Sequence, residues 1–266
     1  MDIDISDKYK KYKTKYIALK RMVSGVKELV NSLDKSHAIV DVILDDNEKN
    51  LLNKIKLDND INDLNYYGKF DKHRIMDILR NHIMSIGNEQ LLSDQIANIM
   101  TERIIQPFLI SMANDSLWLK VSVMFPTTDY ETPRWHFDGY YYDPTNDRIQ
   151  MKLAGTLYGP GTLFKKDNTD MRNKYFEMRK DLPPSKGDRT QETINRKIIA
   201  TGLQSYENEQ PSNNNQVVLF IVGDQKKAAI HSEPNITNKR LFFSVVPGNV
   251  NDITDLAVRY GGVFKE

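Results

Sequence analysis

The sequence predicts an α+β domain in which helices come first and a run of β-strands follows. Up to about residue 106 apolar residues recur at helical spacing, and from Leu117 they alternate with polar residues as in a half-buried strand. Helices and strands do not alternate along the chain, as a parallel sheet with crossover helices would require. We therefore expect the N-terminal helices to support a sheet built by the C-terminal half.

The composition indicates a globular chain without an overall electrostatic preference. Its 266 residues carry a net charge of +1, which does not favour nucleic acid as a partner. Cysteine is absent, so disulfides, thiolate zinc sites and a cysteine nucleophile are excluded, and metal binding is left to histidine and carboxylates. No apolar run approaches the ~20 residues of a membrane span, and the N-terminus lacks a signal-peptide core. We expect a soluble, cytoplasmic protein with no membrane partner.

The first predicted unit, residues 1–34, is an amphipathic, coiled-coil-like helix. Over residues 8–34 apolar and tyrosine side chains are spaced alternately three and four apart, and the first half is strongly basic. Three interpretations stay open: a helix packed on its own domain, the seam of a homo-oligomer, or a basic helix on an anionic surface. The seam positions are Tyr9, Tyr12, Tyr16, Leu19, Val23, Val26, Val30 and Leu33.

The second predicted unit, residues 35–111, is a helical support region. Residues 35–70 are polar, and we expect turns around short helices there. Helical periodicity follows over 71–84 and 88–106, and Pro107 is expected to end or kink the second of these helices.

The third predicted unit, residues 112–266, contains the strands. A long polar segment, residues 165–215, interrupts them and has helical pieces near 170–181 and 191–203. An insertion of this length is either a lid or substrate loop, or a tolerated surface addition. The predicted strands are residues 117–125, 134–142, 148–158, 217–222, 228–231 and 240–246.

The residues that carry chemistry are His136, Asp138 and the distant His231. Residues i and i+2 of an extended strand point the same way, so His136 and Asp138 can reach one ion. With His231 they place two imidazoles and one carboxylate on one face of a metal, as in non-haem Fe(II) oxygenases. The alternative for each histidine is a structural role, and an inward-facing Glu233 would break the triad. No phosphate-binding loop and no nucleophile-elbow signature follows a predicted strand.

These residues resemble the Fe(II)/2-oxoglutarate-dependent dioxygenase superfamily. The resemblance covers roughly residues 112–248 and rests on His136-x-Asp138, the distal His231, and Arg240 nine residues further on. It implies a double-stranded β-helix, or jelly-roll, core with flanking helices. It also implies Fe(II) as cofactor and 2-oxoglutarate as cosubstrate. The reaction would hydroxylate or demethylate a small-molecule or peptide substrate and release succinate and CO2.

The resemblance also implies roles for single residues. His136, Asp138 and His231 would bind the metal and serve catalysis, and Arg240 would grip the far carboxylate of 2-oxoglutarate. For Arg240 the alternative is a surface salt bridge. Tyr158 and Ser244 would assist Arg240, although ordinary packing is the alternative for Tyr158. An aromatic group is expected to border the site, with some members in the core and the tyrosines as a possible substrate wall. The group is Trp135, Phe137, Tyr140, Tyr141 and Tyr142, of which Trp135, Tyr140 and Tyr142 are predicted to bind substrate.

Two other classes of protein compete with the oxygenase. One is a cupin-like barrel that binds a metal or ligand without turnover, and the other is a coiled-coil scaffold built by residues 8–34. The tyrosine- and lysine-rich N-terminus resembles segments found in giant DNA virus proteins, which makes a virion a second expected location. Iron binding separates the scaffold from the other two classes, and 2-oxoglutarate turnover separates the oxygenase from the barrel.

Overall fold

The computed structural model describes residues 5–32, 34–144, 148–212 and 214–266, and the side chains of residues 5–8, 10 and 11 are outside that description. None of the helices in these ranges is both long and apolar enough to cross a membrane. The helices are α1 (Ile5–Asn31), α2 (Asp46–Leu52), α3 (Lys72–Ser85), α4 (Gln90–Ile99), α5 (Gln106–Ser111), α6 (Thr169–Asp181), α7 (Arg189–Gly202) and α8 (Val250–Arg259). The strands are β1 (His37–Asp41), β2 (Leu64–Lys69), β3 (Ser116–Met124), β4 (Gln150–Tyr158), β5 (Leu163–Lys165), β6 (Asn208–Glu209), β7 (Gln216–Val222), β8 (His231–Ser232), β9 (Arg240–Gly248) and β10 (Phe264–Lys265).

Two sheets face each other in the structure. The large sheet has the strand order β1-β7-β4-β9-β3-β2-β10 and is antiparallel except for the pair formed by β10 and β2. The small sheet has the order β6-β5-β8. The ring of Phe164 in β5 lies 5.4 Å from that of Phe220 in β7, so the small sheet covers one face of the large one. The architecture is therefore mixed α+β with a large antiparallel sheet, in agreement with the predicted class.

Side-chain alternation gives the large sheet an apolar face and a mixed face. Leu119 and Val121 of β3 pack with Phe243 of β9 in the main core, which also includes buried residues of α3, α4 and α5. The intervening Lys120 and Ser122 point to the opposite face, where the small sheet lies. This arrangement confirms the period-two pattern of residues 117–125, because a strand with one face on the core alternates in this way.

The first part of the predicted helical support region contains two strands, so the prediction of turns and short helices there is incomplete. β1 pairs with β7, and β2 pairs with β3. Both strands are held by partners that lie far away in the chain. Neither segment alternates cleanly between buried and exposed residues, so periodicity did not indicate a strand in either.

Pro107 does not end the helical path. α4 passes into a π-helical turn at Met100–Ile105, and α5 follows with Pro107 in its first turn. Pro107 has no N–H to donate, and the π-helical turn before it already departs from the regular i→i−4 hydrogen-bond pattern. The proline therefore marks a change of helix type and not a boundary.

The N-terminal helix packs on its own domain along a buried stripe that shares Val26 with the predicted seam but otherwise differs from it. Tyr9, Tyr12 and Tyr16 of that seam are 67%, 73% and 66% exposed, and Leu33 lies outside the described residues. A homo-oligomer formed through the exposed tyrosines stays a prediction. The buried stripe consists of Ala18, Met22, Val26 and Leu29.

The insertion forms α6 and α7 close to the predicted positions and is anchored to the small sheet by a buried lysine. The Nζ of Lys165 donates hydrogen bonds to the carbonyls of Leu203 at 2.7 Å and Tyr206 at 2.9 Å. It also lies 4.6 Å from the ring centre of Trp135. Burial lowers the pKa of Lys165 to about 8. These contacts fix the end of the insertion beside the segment that carries His136.

Gly155 of β4 lies where the core has no room for a side chain. A Cβ at this position would be 2.4 Å from the ring of Phe243. We expect Gly155→Ala to lower the free energy of unfolding by about 1–3 kcal/mol, because overpacking forces side chains out of their rotamers. Urea denaturation measures the change. The control is Gly139→Ala, since a Cβ there meets no described atom within 4 Å. Equal stability of the two variants would show that Phe243 can move aside.

Candidate metal centre

The structure brings His136, Asp138 and His231 together. His136 and His231 exchange two backbone hydrogen bonds, of 2.9 and 2.8 Å, which join the loop before β4 to β8. The Nε2 atoms of His136 and His231 lie 3.9 and 3.8 Å from Oδ1 of Asp138. One ligand atom from each residue lies within 4.8 Å of the others. The predicted triad is therefore assembled, with Asp138 Oδ1 facing both imidazoles.

The two imidazoles are oriented by backbone carbonyls. Nδ1 of His136 lies 2.7 Å from the carbonyl oxygen of Arg134, and Nδ1 of His231 lies 3.1 Å from that of Ala229. A carbonyl oxygen only accepts, so the proton belongs on Nδ1 and the Nε2 lone pair is free for a ligand. Burial, and next the proximity of His136, lower the pKa of His231 to about 4. At neutral pH this imidazole is therefore in the neutral form that binds metals.

Asp138 is held by two side chains that the sequence did not indicate as partners. Its Oδ2 accepts hydrogen bonds from Tyr141 Oη at 2.8 Å and Lys152 Nζ at 2.9 Å, and Lys152 also donates to Tyr141 Oη at 3.0 Å. Burial alone would raise the pKa of Asp138, but Lys152, together with His231 and His136, holds it well below its usual range. The carboxylate is ionised and leaves Oδ1 for a metal.

This donor set fits Fe(II). Two imidazole nitrogens and one carboxylate oxygen converge, and imidazole and carboxylate are both ligands that iron accepts. Oδ2 of Asp138 is already used by Tyr141 and Lys152, so the residue would offer a single oxygen. Three protein ligands leave further coordination positions for a substrate or cosubstrate.

The triad opens into a cavity of about 380 Å³ between the two sheets, which we call the metal cavity. Arg240 lines it and is only 2% exposed. Its guanidinium donates hydrogen bonds to the carbonyl of Pro160 at 2.9 Å and to the hydroxyl of Thr162 at 2.9 Å. It also lies 4.7 Å from the ring centre of Phe242.

Arg240 lacks a counter-ion among the described residues, since no carboxylate lies within ion-pair distance of it. The alternative of a surface salt bridge is therefore wrong. Burial lowers the pKa of Arg240 to about 10, so the side chain stays charged at neutral pH. A buried cation without a partner is costly, and a ligand carboxylate would offset that cost.

Of the other two residues predicted to bind the cosubstrate, Ser244 lines the metal cavity and Tyr158 does not. Ser244 is buried and lines the metal cavity, two positions along β9 from Phe242. Tyr158 is 39% exposed and does not line that cavity. The register between β4 and β9 shifts between Thr156 and Tyr158, so Tyr158 does not continue the inward alternation of its strand.

The three aromatic residues predicted to bind substrate do not line the metal cavity either. Trp135 is buried beside the insertion, next to Lys165. Tyr140 is 44% exposed, and Tyr142 is buried with its hydroxyl donating to the carbonyl of Pro247 at 3.1 Å. The reason is that residues 134–142 do not form the predicted strand. Only His136 makes a bridge, so the side chains do not alternate across a sheet.

Sequence reasoning missed Lys152 and Tyr141 as partners of Asp138. A signal for Lys152 was present, because it lies on the polar face of the strand predicted over 148–158. The position of Lys152 on a polar face does not predict that it contacts the loop that carries Asp138. Tyr141 was expected to border the site as one of the aromatic residues after Asp138, but its hydrogen bond to Asp138 depends on the irregular path of the chain there.

Several solved structures are similar to this chain. A Pseudomonas putida prolyl-4-hydroxylase matches with a TM-score of 0.40 and 10% sequence identity, covering 86% of this chain and 91% of that chain. A prolyl hydroxylase from Trichoplax adhaerens, in complex with a hypoxia inducible factor peptide fragment, matches with 0.37 and 8%, covering 92% and 95%. A Kdo hydroxylase, a non-heme Fe(II) alphaketoglutarate dependent dioxygenase, matches with 0.36 and 12%, covering 88% and 86%.

No protein-family model matches the sequence, and no curated protein matches it. The TM-scores of the three structures are all below 0.5. We therefore derive the function from the geometry of the metal centre and not from these similarities.

Proposed function

We propose that this chain is an Fe(II)- and 2-oxoglutarate-dependent dioxygenase with a double-stranded β-helix core. The observation that carries the proposal is the metal cavity itself. One wall presents the ligand atoms of His136, Asp138 and His231, and the same cavity contains the unpaired buried cation of Arg240. A cosubstrate with a metal-binding keto acid at one end and a free carboxylate at the other matches these two features.

Each residue has a role that follows from its contacts. His136 and His231 present Nε2 to the metal because their Nδ1 atoms are held by carbonyl oxygens. Asp138 offers Oδ1 while Tyr141 and Lys152 hold Oδ2. Arg240 would bind the distal carboxylate of 2-oxoglutarate, with Ser244 on the same face of β9.

When bound, Fe(II) and 2-oxoglutarate supply the oxidising chemistry that hydroxylates or demethylates a substrate, with release of succinate and CO2. The protein contributes binding, orientation and the exclusion of water. Arg240 is buried and the aromatic rings of Phe164 and Phe220 cover His231, so this part of the cavity is shielded from bulk solvent.

The test is an anaerobic titration of the protein with Fe(II) and 2-oxoglutarate, followed by visible absorption. We expect the charge-transfer band of a chelated keto acid in the wild type and its loss in His136→Ala, which removes one metal ligand. Formation of succinate after oxygen is admitted would separate an oxygenase from a barrel that only binds ligands. A chain that retains no iron and gives no band would contradict the proposal and favour a scaffold.

A further inference from the structure

A second groove lies beside the metal cavity and is formed mainly by the insertion. It has a volume of about 510 Å³ and shares the lining residues Arg134 and His136 with the metal cavity, so the two spaces are adjacent. The rest of its wall comes from Trp135 and from α6, α7 and the loop between them. We call it the insertion groove. Its volume lies within the range of about 300–1,000 Å³ that is usual for ligand sites.

The insertion groove is rich in positive charge. Arg134, Arg179, Lys186 and Arg196 line it, whereas Glu192 is the acidic residue among its lining. Arg134 is already paired with Glu233. The other three cations have no carboxylate within ion-pair distance among the described side chains.

The two arginines that the insertion contributes to this groove are fixed by neutral groups. Arg179 donates a hydrogen bond to Tyr175 Oη at 3.0 Å and lies 5.9 Å from the ring centre of Phe137. Arg196 donates to the carbonyl of Asp129, and its Nε is buried without a hydrogen-bond partner in the described part of the chain. Buried donors are normally satisfied, and within the described residues the protein supplies no acceptor for the Nε of Arg196.

We propose that the insertion groove binds an acidic peptide segment and presents the adjoining residue to the metal centre. This inference rests on the proposed function, because it names the substrate class of the same site. Carboxylates would pair with Arg179 and Arg196 in charge-assisted hydrogen bonds and with Lys186 as a point charge. The peptide residue that passes His136 is then the one that enters the metal cavity.

A peptide fits the insertion groove better than a nucleic acid does. Single strands bind through rings on which bases stack, but Trp135, which lines the groove, is 5% exposed and covered by Lys165. The net charge of +1 provides no long-range attraction for a polyphosphate. Ion pairs between peptide carboxylates and the groove arginines need neither an exposed aromatic ring nor a large net charge.

The experiment measures binding of a short fluorescein-labelled glutamate-rich peptide by fluorescence anisotropy, at low and at high salt. A neutral peptide of equal length and a single-stranded DNA oligomer are the comparison probes. We expect the Kd of the acidic peptide to rise by about tenfold in R179E/R196E, and by less in R179Q/R196Q. The milder variant keeps the test valid if charge reversal disturbs folding.

The matched control is K174E/K197E. Lys174 and Lys197 are exposed on the same two helices and do not line the insertion groove, and their replacement makes the same change in net charge. We expect this variant to bind the acidic peptide within about twofold of the wild type. An equal loss in both double variants, or tighter binding of the DNA oligomer, would overturn the inference.

The keto-acid absorption band tests the dioxygenase function independently of the peptide-binding groove. A band without binding of the acidic peptide would overturn the assignment of the insertion groove alone. Binding of the peptide that is lost in R179E/R196E, in a chain that gives no band, would support the groove and contradict the dioxygenase.

Discussion

Replacing Arg240 by methionine is expected to weaken 2-oxoglutarate binding at least about 30-fold while leaving Fe(II) affinity nearly unchanged. Removing one member of a buried, hydrogen-bonded charge pair costs about 2–5 kcal/mol, and the lower value corresponds to this factor. Arg240 does not belong to the triad, so the metal ligands are unaffected. The measurement is the 2-oxoglutarate concentration needed for half of the charge-transfer band, at saturating Fe(II).

The stability of the same variant distinguishes a ligand-binding arginine from a structural one. The guanidinium is buried and donates only to neutral acceptors, among them Pro160 and Thr162. Methionine removes an uncompensated buried cation, so we expect the ligand-free variant to be at least as stable to urea as the wild type. Arg240→Lys keeps the positive charge but cannot form bidentate hydrogen bonds to a carboxylate, so it should bind 2-oxoglutarate with intermediate affinity. Wild-type affinity in Arg240→Met would place the anchor on another cation, such as Lys152.

The triad could be predicted from sequence because several residues agreed, and not because one motif is rare. With five histidines and 36 acidic residues a His-x-acid pair can arise by chance, and His136-x-Asp138 gained weight from His231 and from Arg240 nine residues further on. The three side chains come together through the backbone bridge between His136 and His231, and no local sequence pattern predicts this bridge. Residue type therefore identified the ligands, and long-range pairing determined their geometry.

The substrate side could not be predicted in the same way. The expected wall of Tyr140 and Tyr142 assumed a strand over 134–142, whereas the chain there is irregular apart from one bridge. The predicted inward position of Tyr158 was wrong for a related reason, since a register shift changes the direction of its side chain. Period-two arguments hold for long paired strands such as β3 and fail where a bulge or loop interrupts pairing.

For the insertion, the helices could be predicted but their role could not. Its helices were predicted close to their observed positions, because α6 and α7 have periodic sequences and begin after the capping residues Asn168 and Asp188. Its role stayed open between a lid and a surface addition. The choice depends on where the helices pack, and that is set by buried contacts such as those of Lys165.

Replacing Lys152 by methionine is expected to lower the free energy of unfolding of the metal-free protein by about 3 kcal/mol. Lys152 and Asp138 are both largely buried and lie 2.9 Å apart. Burial disfavours the charge of Lys152, but Tyr141 and Asp138 raise its pKa above the usual range. Removing this cation leaves the Asp138 carboxylate buried with only the Tyr141 hydroxyl, and breaking a buried pair from one side is strongly destabilising.

Fe(II) should reverse most of this loss, because a bound divalent cation replaces Lys152 as the counter-charge of Asp138. Urea denaturation under nitrogen, with and without Fe(II), measures both effects, and the stabilisation by Fe(II) is expected to be larger in Lys152→Met than in the wild type. Lys120→Met is the matched control on the same sheet face. Its ion pair with Asp63 is half-exposed, so we expect a change below about 1 kcal/mol that Fe(II) does not affect. A loss in Lys152→Met that is equal with and without Fe(II) would mean that Lys152 supports the fold and is not coupled to the metal ligand.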